Sequence, residues 1–169
     1  MARKKALLDF SKKHNLKIGT IADLINYRIF NEQTVKRLEG KSVKTEHGNF
    51  NLILYRDLIF EETHIVLQKG RVSKNAPTLV RVQQSNLYHD LLNVDEFGTR
   101  WSVSDAMKKI NETGNGIILL IDGDNNKENE FKEIRASKKK RKTVPNNDPR
   151  RIGIGSQILR DLGVKKIKL

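Results

Sequence analysis

Cysteine is absent from this chain, so no chemistry it performs can draw on a thiol. Without a thiol there is no thiolate metal ligand, no cysteine nucleophile and no disulfide, a composition that suits a reducing compartment. The four histidines, His14, His47, His64 and His89, are scattered, and no two have the spacing at which one helix face presents two imidazoles to a metal. Each reads as a surface or capping residue. Asp122, Asp124, Asn126 and Glu133 fit positions 1, 3, 5 and 12 of a calcium loop, but position 6, where the sharp turn demands glycine, is Lys127. An acidic surface turn accounts for them as well. Gly40-Lys41-Ser42 resembles the end of a phosphate-binding P-loop, yet the required earlier glycine is replaced by Val35. Arg150 and Arg151 precede Gly153-x-Gly155, which could offer backbone N–H groups to an anion at a helix start or could simply make a tight turn.

Lys and Arg outnumber Asp and Glu by 33 to 20, a net charge of +13 that favours nucleotides, phosphorylated metabolites or nucleic acid as partners. Aromatic residues make up 6% of the chain, few for base stacking, and no nucleic-acid-binding signature accompanies them, so nucleic acid is the disfavoured member of that set. The densest charge, Lys138-Lys139-Lys140-Arg141-Lys142, reads first as a solvated loop and second as a docking site for phosphate or nucleic acid. A nuclear localisation signal would need eukaryotic context. No run approaches the roughly 20 apolar residues of a membrane span, and residues 1–9 lack a sustained apolar stretch, so no membrane association and a cytoplasmic location are expected.

The elements that must position these groups follow from periodicity. Ala6, Leu7 and Phe10 share one helical face, and Thr20 with Asp23 predicts a shortened capping box at the head of a second helix, whose Ile21, Leu24, Ile25 and Ile29 form a stripe expected to be buried. Residues 32–38 are ambiguous. Strands are predicted over Lys41–Thr45 and Phe50–Tyr55 around a turn at His47-Gly48-Asn49, with Phe50, Leu52 and Leu54 on one face. More strands are predicted at Thr63–Gln68 and Thr78–Gln83, then a helix over Trp101–Ile110 stopped by Gly114 and Gly116, and a fully buried strand over Ile117–Ile121. A last helix from about Ser156 ends at Gly163, before a strand from Val164. The fold class is α+β, with a mostly antiparallel, barrel-like sheet flanked by helices.

Two distant stretches carry a family resemblance. Met1-Ala2-Arg3, then Lys13-His14-x-Leu16-Lys17-Ile18-x-Thr20-Ile21-Ala22-Asp23-Leu24-Ile25-x-Tyr27-Arg28, resembles the C-terminal tail of 3,4-dihydroxy-2-butanone 4-phosphate synthase. From Gly48 onward the chain is similar to GTP cyclohydrolase II, the domain that follows this tail in bifunctional riboflavin-biosynthesis proteins. The matching blocks are His64-Ile65-Val66-Leu67-x-Lys69-Gly70, Leu79-Val80-Arg81-Val82, Gly116-Ile117-Ile118-Leu119, and Asp148-x-Arg150 followed by Gly153-Ile154-Gly155-Ser156-Gln157-Ile158-Leu159-x-Asp161-Leu162-Gly163-Val164. The resemblance implies a synthase tail and helical linker over 1–40 and a cyclohydrolase-like domain over 41–169 that stops short of the family's C-terminus. The synthase's catalytic residues would lie upstream of Met1, so a fragment of a larger polypeptide is expected. A homodimer is expected on the same ground.

A GTP cyclohydrolase II opens the imidazole ring of GTP and releases formate and pyrophosphate, with a zinc ion on three thiolates activating the attacking water. The resemblance places those ligands at Asn86, Phe97 and Thr99, where two neutral oxygens and a side chain without a donor stand. Zinc is therefore expected to be absent, and no other cofactor is expected. The family's phosphate-binding Glu-Gly-Arg falls on Asp124-Asn125-Asn126, reversing the charge needed to hold a triphosphate. The segment with the family's catalytic tyrosine is replaced by the Lys-rich block. Asp148 and Arg150 match the family's proton acceptor and arginine nucleophile, while Arg81 and Val82 match nucleotide-contact positions. An Asp–Arg pair holding a strand-to-helix turn is the structural alternative for Asp148 and Arg150.

The expectation is a degenerate, zinc-less cyclohydrolase-like domain with an assembly or regulatory role beside the synthase, still able to receive a nucleotide or phosphate anion near Arg150. Its rival is a hydrolase that acts on GTP with an altered site, using Asp148, Arg150 and Arg81 unaided. The disfavoured nucleic-acid role has a direct test. Binding to duplex DNA at low salt is expected to be absent, whereas steeply salt-dependent binding lost on neutralising Lys138–Lys142 would establish it.

Overall fold

Both faces of the strand from Gly48 to Asp57 are buried, which no half-solvated sheet allows. Phe50 points to one face, and Ile53, Tyr55 and Asp57 point to the other, all within 2% of complete burial. A strand covered on both sides needs a layer of helix on each. In the structure, a computed structural model that describes residues 4–73, 75–85, 90, 101–122 and 149–168, two helices supply those layers. Asn86, Phe97, Thr99, Asp124, Asn126, Glu133, the Lys138–Lys142 block and Asp148 lie outside the described residues.

The chain divides into two units, Met1–Glu32 and Gln33–Leu169. The first contains α1 (Lys4–Lys13) and α2 (Ile21–Asn31). The expected capping box heads α2: Thr20 Oγ1 accepts from the Asp23 amide at 3.0 Å, and Asp23 Oδ2 accepts from the Thr20 amide at 3.3 Å. The expected burial of the α2 stripe does not hold, because Ile21, Leu24 and Ile25 are 79%, 58% and 41% exposed. Periodicity identifies an apolar face; it does not supply a surface to cover it.

The second unit contains β1 (Val35–Thr45), β2 (Gly48–Asp57), β3 (Thr63–Lys69), β4 (Thr78–Gln84), α3 (Val103–Thr113), β5 (Gly116–Ile121), α4 (Pro149–Asp161) and β6 (Ile167–Lys168). The strands form one sheet in the order β1-β2-β3-β5-β4-β6. β1–β2, β2–β3 and β3–β5 pair antiparallel, and β5–β4 and β4–β6 pair parallel. The sheet is thus mostly antiparallel, as expected, but among the described residues it is open and mixed rather than barrel-like. The reason is the passage from β4 through α3 into a parallel β5, which inserts β5 between β3 and β4 instead of extending a meander. β1 also starts at Val35, earlier than the strand expected from Lys41, and runs across the boundary expected at residue 40. Its charged residues are largely exposed and a bulge lies between Arg37 and Gly40, so no alternation marks it in the sequence.

Glu46 and His47 form the turn of the first hairpin, with Thr45 opposite Gly48 at φ +108°. α3 begins at a Ser102–Asp105 capping box and ends on Gly114 in the left-handed region, and it buries Ala106, Met107 and Ile110 against Phe50, Leu67 and Ile118. On the opposite face α4 buries Ile154, Ile158 and Leu159 against Val66, Val80, Ile117, Leu119 and Ile121. α4 starts at Pro149, well before the expected Ser156, so Gly153 and Gly155 lie inside the helix rather than in a turn that offers amides to an anion. Close packing explains Gly155: a Cβ there would sit 3.3 Å from Ile121 Cδ1. Long-range hydrogen bonds tie α4 down, among them those from the Thr34 amide to Gln157 Oε1 at 2.9 Å and from Tyr55 Oη to Asp161 Oδ2 at 2.6 Å. Among the described residues no helix is long and apolar enough to cross a membrane.

Gly116 marks a close contact between α3 and the sheet. A Cβ there would lie 2.8 Å from Ile110 Cγ1 and 2.9 Å from the Leu79 carbonyl oxygen, and the latter, being backbone, cannot rotate away. Gly116→Ala is expected to lower the unfolding free energy by about 1–3 kcal/mol, read as a lower urea midpoint at unchanged m-value.

Candidate functional site

Four chain segments meet at one corner of the sheet on the α4 face: the end of β2, the turn into β3, the end of β5 and the first turn of α4. Asp57 closes β2 and shapes the turn, its Oδ1 accepting from the amides of Ile59 at 2.7 Å and Phe60 at 3.3 Å. Its own amide donates to the Glu62 carbonyl at 2.9 Å. The turn needs Glu61 at φ +58° and delivers Glu62 to the same side of the chain as the fully buried His64. The antiparallel register of β3 on β5 carries His64 to the Asp122 amide, which donates to His64 Nδ1 at 3.2 Å.

Arg150 enters this corner from α4. Its Nη2 forms an ion pair with Glu62 Oε1 at 3.5 Å, and its guanidinium lies 4.1 Å from the centre of the Phe60 ring. Arg151, next in sequence, turns instead to Gln84 at the end of β4. Burial is the main force on the site's protonation. It pushes the Glu62 carboxyl up, helped by Asp57 and Asp122 and opposed by Arg150 and Arg151. It pushes the His64 imidazole down, again with Arg150, against the pull of Asp57 and Asp122. Both groups are driven towards their neutral forms. Burial, reinforced by the hydrogen bond to Asp161, likewise raises the Tyr55 phenol on the same face.

Asp57, Glu62 and His64 each place one potential ligand atom within 4.8 Å of the others, a spacing that invites comparison with a metal centre. The hydrogen bonding argues for a different use. Nδ1 accepts from a backbone N–H, so the neutral ring carries its proton on Nε2 and presents a donor there. A metal at Nε2 would have to displace that proton and leave an imidazolate, whereas a ligating histidine ordinarily donates from its other nitrogen.

Of the residues singled out in the sequence, the structure brings Arg150 to this corner and not Arg81. Residues 79, 81 and 83 of β4 alternate with 80, 82 and 84, so Arg81 sits on the α3 face while Val82 shares the α4 face with Val80. Arg81 Nε donates to Gln83 Oε1 at 3.1 Å, and Gln83 Nε2 to Asp90 Oδ1 at 3.2 Å. Sequence reasoning misses Asp57, Glu62 and His64 as a group. It reads His64 as a surface or capping residue, and the one signal against that reading is the residue's place at the head of a strongly apolar strand.

The pH dependence of stability follows from His64. Its folded-state affinity for a proton is depressed below the ordinary 6.5, so on acidification the unfolded chain binds the proton first. Its contribution is complete above about pH 6.5 and is lost as pH falls through the depressed folded value. Glu62, raised, works in the opposite sense: its contribution is complete below its ordinary 4.5 and is lost as pH rises through the raised value. The expected outcome is a smaller acid-induced fall of the urea midpoint in His64→Gln than in the parent chain, and identical pH slopes would remove His64 from the account.

The model of the GTP cyclohydrolase II family matches residues 36–169. The 3,4-dihydroxy-2-butanone 4-phosphate synthase of Pseudomonas aeruginosa is 42% identical over 179 residues, covering 100% of this chain and 47% of that protein. The riboflavin biosynthesis protein RibBA of Aquifex aeolicus is 37% identical over 180 residues, covering 100% of this chain and 44% of that protein. The crystal structure of RibBX, a two-domain 3,4-dihydroxy-2-butanone 4-phosphate synthase from A. baumannii, is similar to the whole chain, with a TM-score of 0.64, 35% identity and 44% of that protein covered. The chain thus spans about half the length of the relatives it matches. With its open, mixed six-stranded sheet between two helices and a family match that reaches every strand, the chain belongs to the GTP cyclohydrolase II family.

Proposed function

We propose that this chain is a degenerate GTP cyclohydrolase II-like domain that lacks the zinc ion and cyclohydrolase activity, and that it serves assembly or regulation beside a 3,4-dihydroxy-2-butanone 4-phosphate synthase in riboflavin biosynthesis. One observation carries the reading. The positions that the resemblance assigns to the three zinc thiolates hold Asn86, Phe97 and Thr99. These do not fit a zinc ion: two neutral amide or hydroxyl oxygens are poor partners for it, and a phenylalanine offers no lone pair. The His64 cluster is a poor substitute, since its Nδ1 already accepts from the Asp122 amide. Support also comes from the relatives' names, because the Pseudomonas protein is named for the synthase alone and the A. baumannii protein as a two-domain synthase.

The role beside the synthase is assigned to a homodimeric, cytoplasmic protein that still accepts a nucleotide or phosphate anion near Arg150. The second reading, an active hydrolase with an altered site, draws on the retention of Asp148 and Arg150. It would have to act with an arginine already engaged by Glu62 and Phe60. Formate release from GTP by the purified chain, with and without added zinc, separates the two. No turnover above the buffer rate is expected in either condition. Turnover that disappears in Arg150→Ala would establish the hydrolase.

A further inference from the structure

We propose that Glu62 and His64 are positioning residues for Arg150: His64 donates through Nε2–H to Glu62 by way of one buried water, and Glu62 so oriented holds the guanidinium. Three observations on the α4 face carry this, and none depends on whether the domain turns over GTP. His64 is completely buried, and its Nε2 has no hydrogen-bond partner among the described residues. Glu62 Oε2 is also sealed from solvent without a partner among them, although Oε1 meets Arg150. The bond from the Asp122 amide to Nδ1 fixes the tautomer, so one of these two sealed groups is an obligatory donor and the other an acceptor, in a cluster where one potential ligand atom each of Asp57, Glu62 and His64 lies within 4.8 Å of the others.

A buried donor and a buried acceptor left apart each carry the cost of lost hydration, and joining them removes both costs at once. One buried water between them completes the link. The chain of contacts then runs from the β5 backbone at Asp122, through the ring of His64 and the carboxylate of Glu62, to Arg150 at the start of α4. It follows the logic by which one fixed hydrogen-bonding group orients a histidine and the histidine orients the next group. Phe60 fixes the other side of the guanidinium. The charged and titratable groups facing Glu62 are Asp57 from β2, His64 from β3, Asp122 from the end of β5, and Arg150 and Arg151 from α4. Burial raises the Glu62 carboxyl, so its hold on Arg150 lapses on acidification at a higher pH than an exposed glutamate would allow, and the Nε2–H donor limits that rise.

The test follows the carbon-13 signal of the Glu62 carboxyl and the Nε–Hε signal of Arg150 across a pH titration of the whole chain. In the parent chain both signals are expected to move with one midpoint, and in Glu62→Gln the Arg150 transition should vanish. His64→Asn keeps an acceptor for the Asp122 amide but removes the Nε2 donor, and should raise the midpoint by about one pH unit. His64→Gln, which restores a donor near the Nε2 position, should bring it back towards the parent value. A residue that merely fills space would leave the midpoint in place, and an unchanged midpoint in His64→Asn overturns the proposal. Should that variant fail to fold, nitrogen-15 shifts of the parent His64 decide: a proton on Nε2 supports the relay and a proton on Nδ1 overturns it. Saturation of the His64 and Glu62 signals by one equivalent of Zn2+ would also overturn it, by making the cluster a metal site.

Discussion

Burial of β5 on both faces is the constraint on which the rest of this domain depends. Ile117, Ile118 and Leu119 are wholly inaccessible, so α3 and α4 must each lay an apolar stripe across the sheet and β3 and β4 must flank the strand. Each such side chain contributes about 1.5–3 kcal/mol from removal of apolar surface from water. No single polar contact among the described residues competes with that. The strand also dictates where polar groups collect, because its last residue, Ile121, is followed by Asp122, whose amide has passed beyond the ladder and needs an acceptor. His64, brought alongside by the antiparallel β3, provides it.

The corner beyond β5 shows how the protein keeps charge near an apolar interior. Removing a carboxylate and an imidazole from water is costly unless they are paired or neutral. Asp57 is used to cap the turn, Glu62 is given an arginine, and His64 is held uncharged by burial. The opposite directions of the Glu62 and His64 shifts have one cause, since low polarity favours the neutral form of an acid and of a base alike. Arg150 completes the corner from the helix side, and its stacking on Phe60 gives that exposed turn a reason to keep an aromatic residue.

The chain belongs to the GTP cyclohydrolase II family, and this corner sits in a frame of strands and two helix layers in which Gly155 lets α4 approach the sheet. What we propose is lost, the donor set for zinc, lies at other positions of the chain. Frame and reaction can separate in this way because hydrophobic layers and metal ligands draw on different residues, so exchange of the ligands leaves the packing intact.

Much of the fold is legible in the amino-acid sequence. The capping box at Thr20, the apolar run of β5 and the α3 periodicity all report local backbone preferences that a few neighbouring residues determine. The resemblance, likewise, rests on strings of residues. What the sequence hides is non-local. The early start of β1 is masked by exposed charged residues and a bulge, and the early start of α4 by glycines, one of which packing against Ile121 requires. The open sheet follows from where β5 inserts, which strand patterns leave undetermined. The separation of Arg81 from Arg150 by the thickness of the sheet, and the meeting of Asp57, Glu62, His64 and Arg150, are likewise matters of register and layer. Sequence by itself determined which residues prefer helix, strand or cap, because those preferences are local. Only the tertiary structure decided which charged groups share a buried corner, because that depends on pairing strands whose ends are distant along the chain.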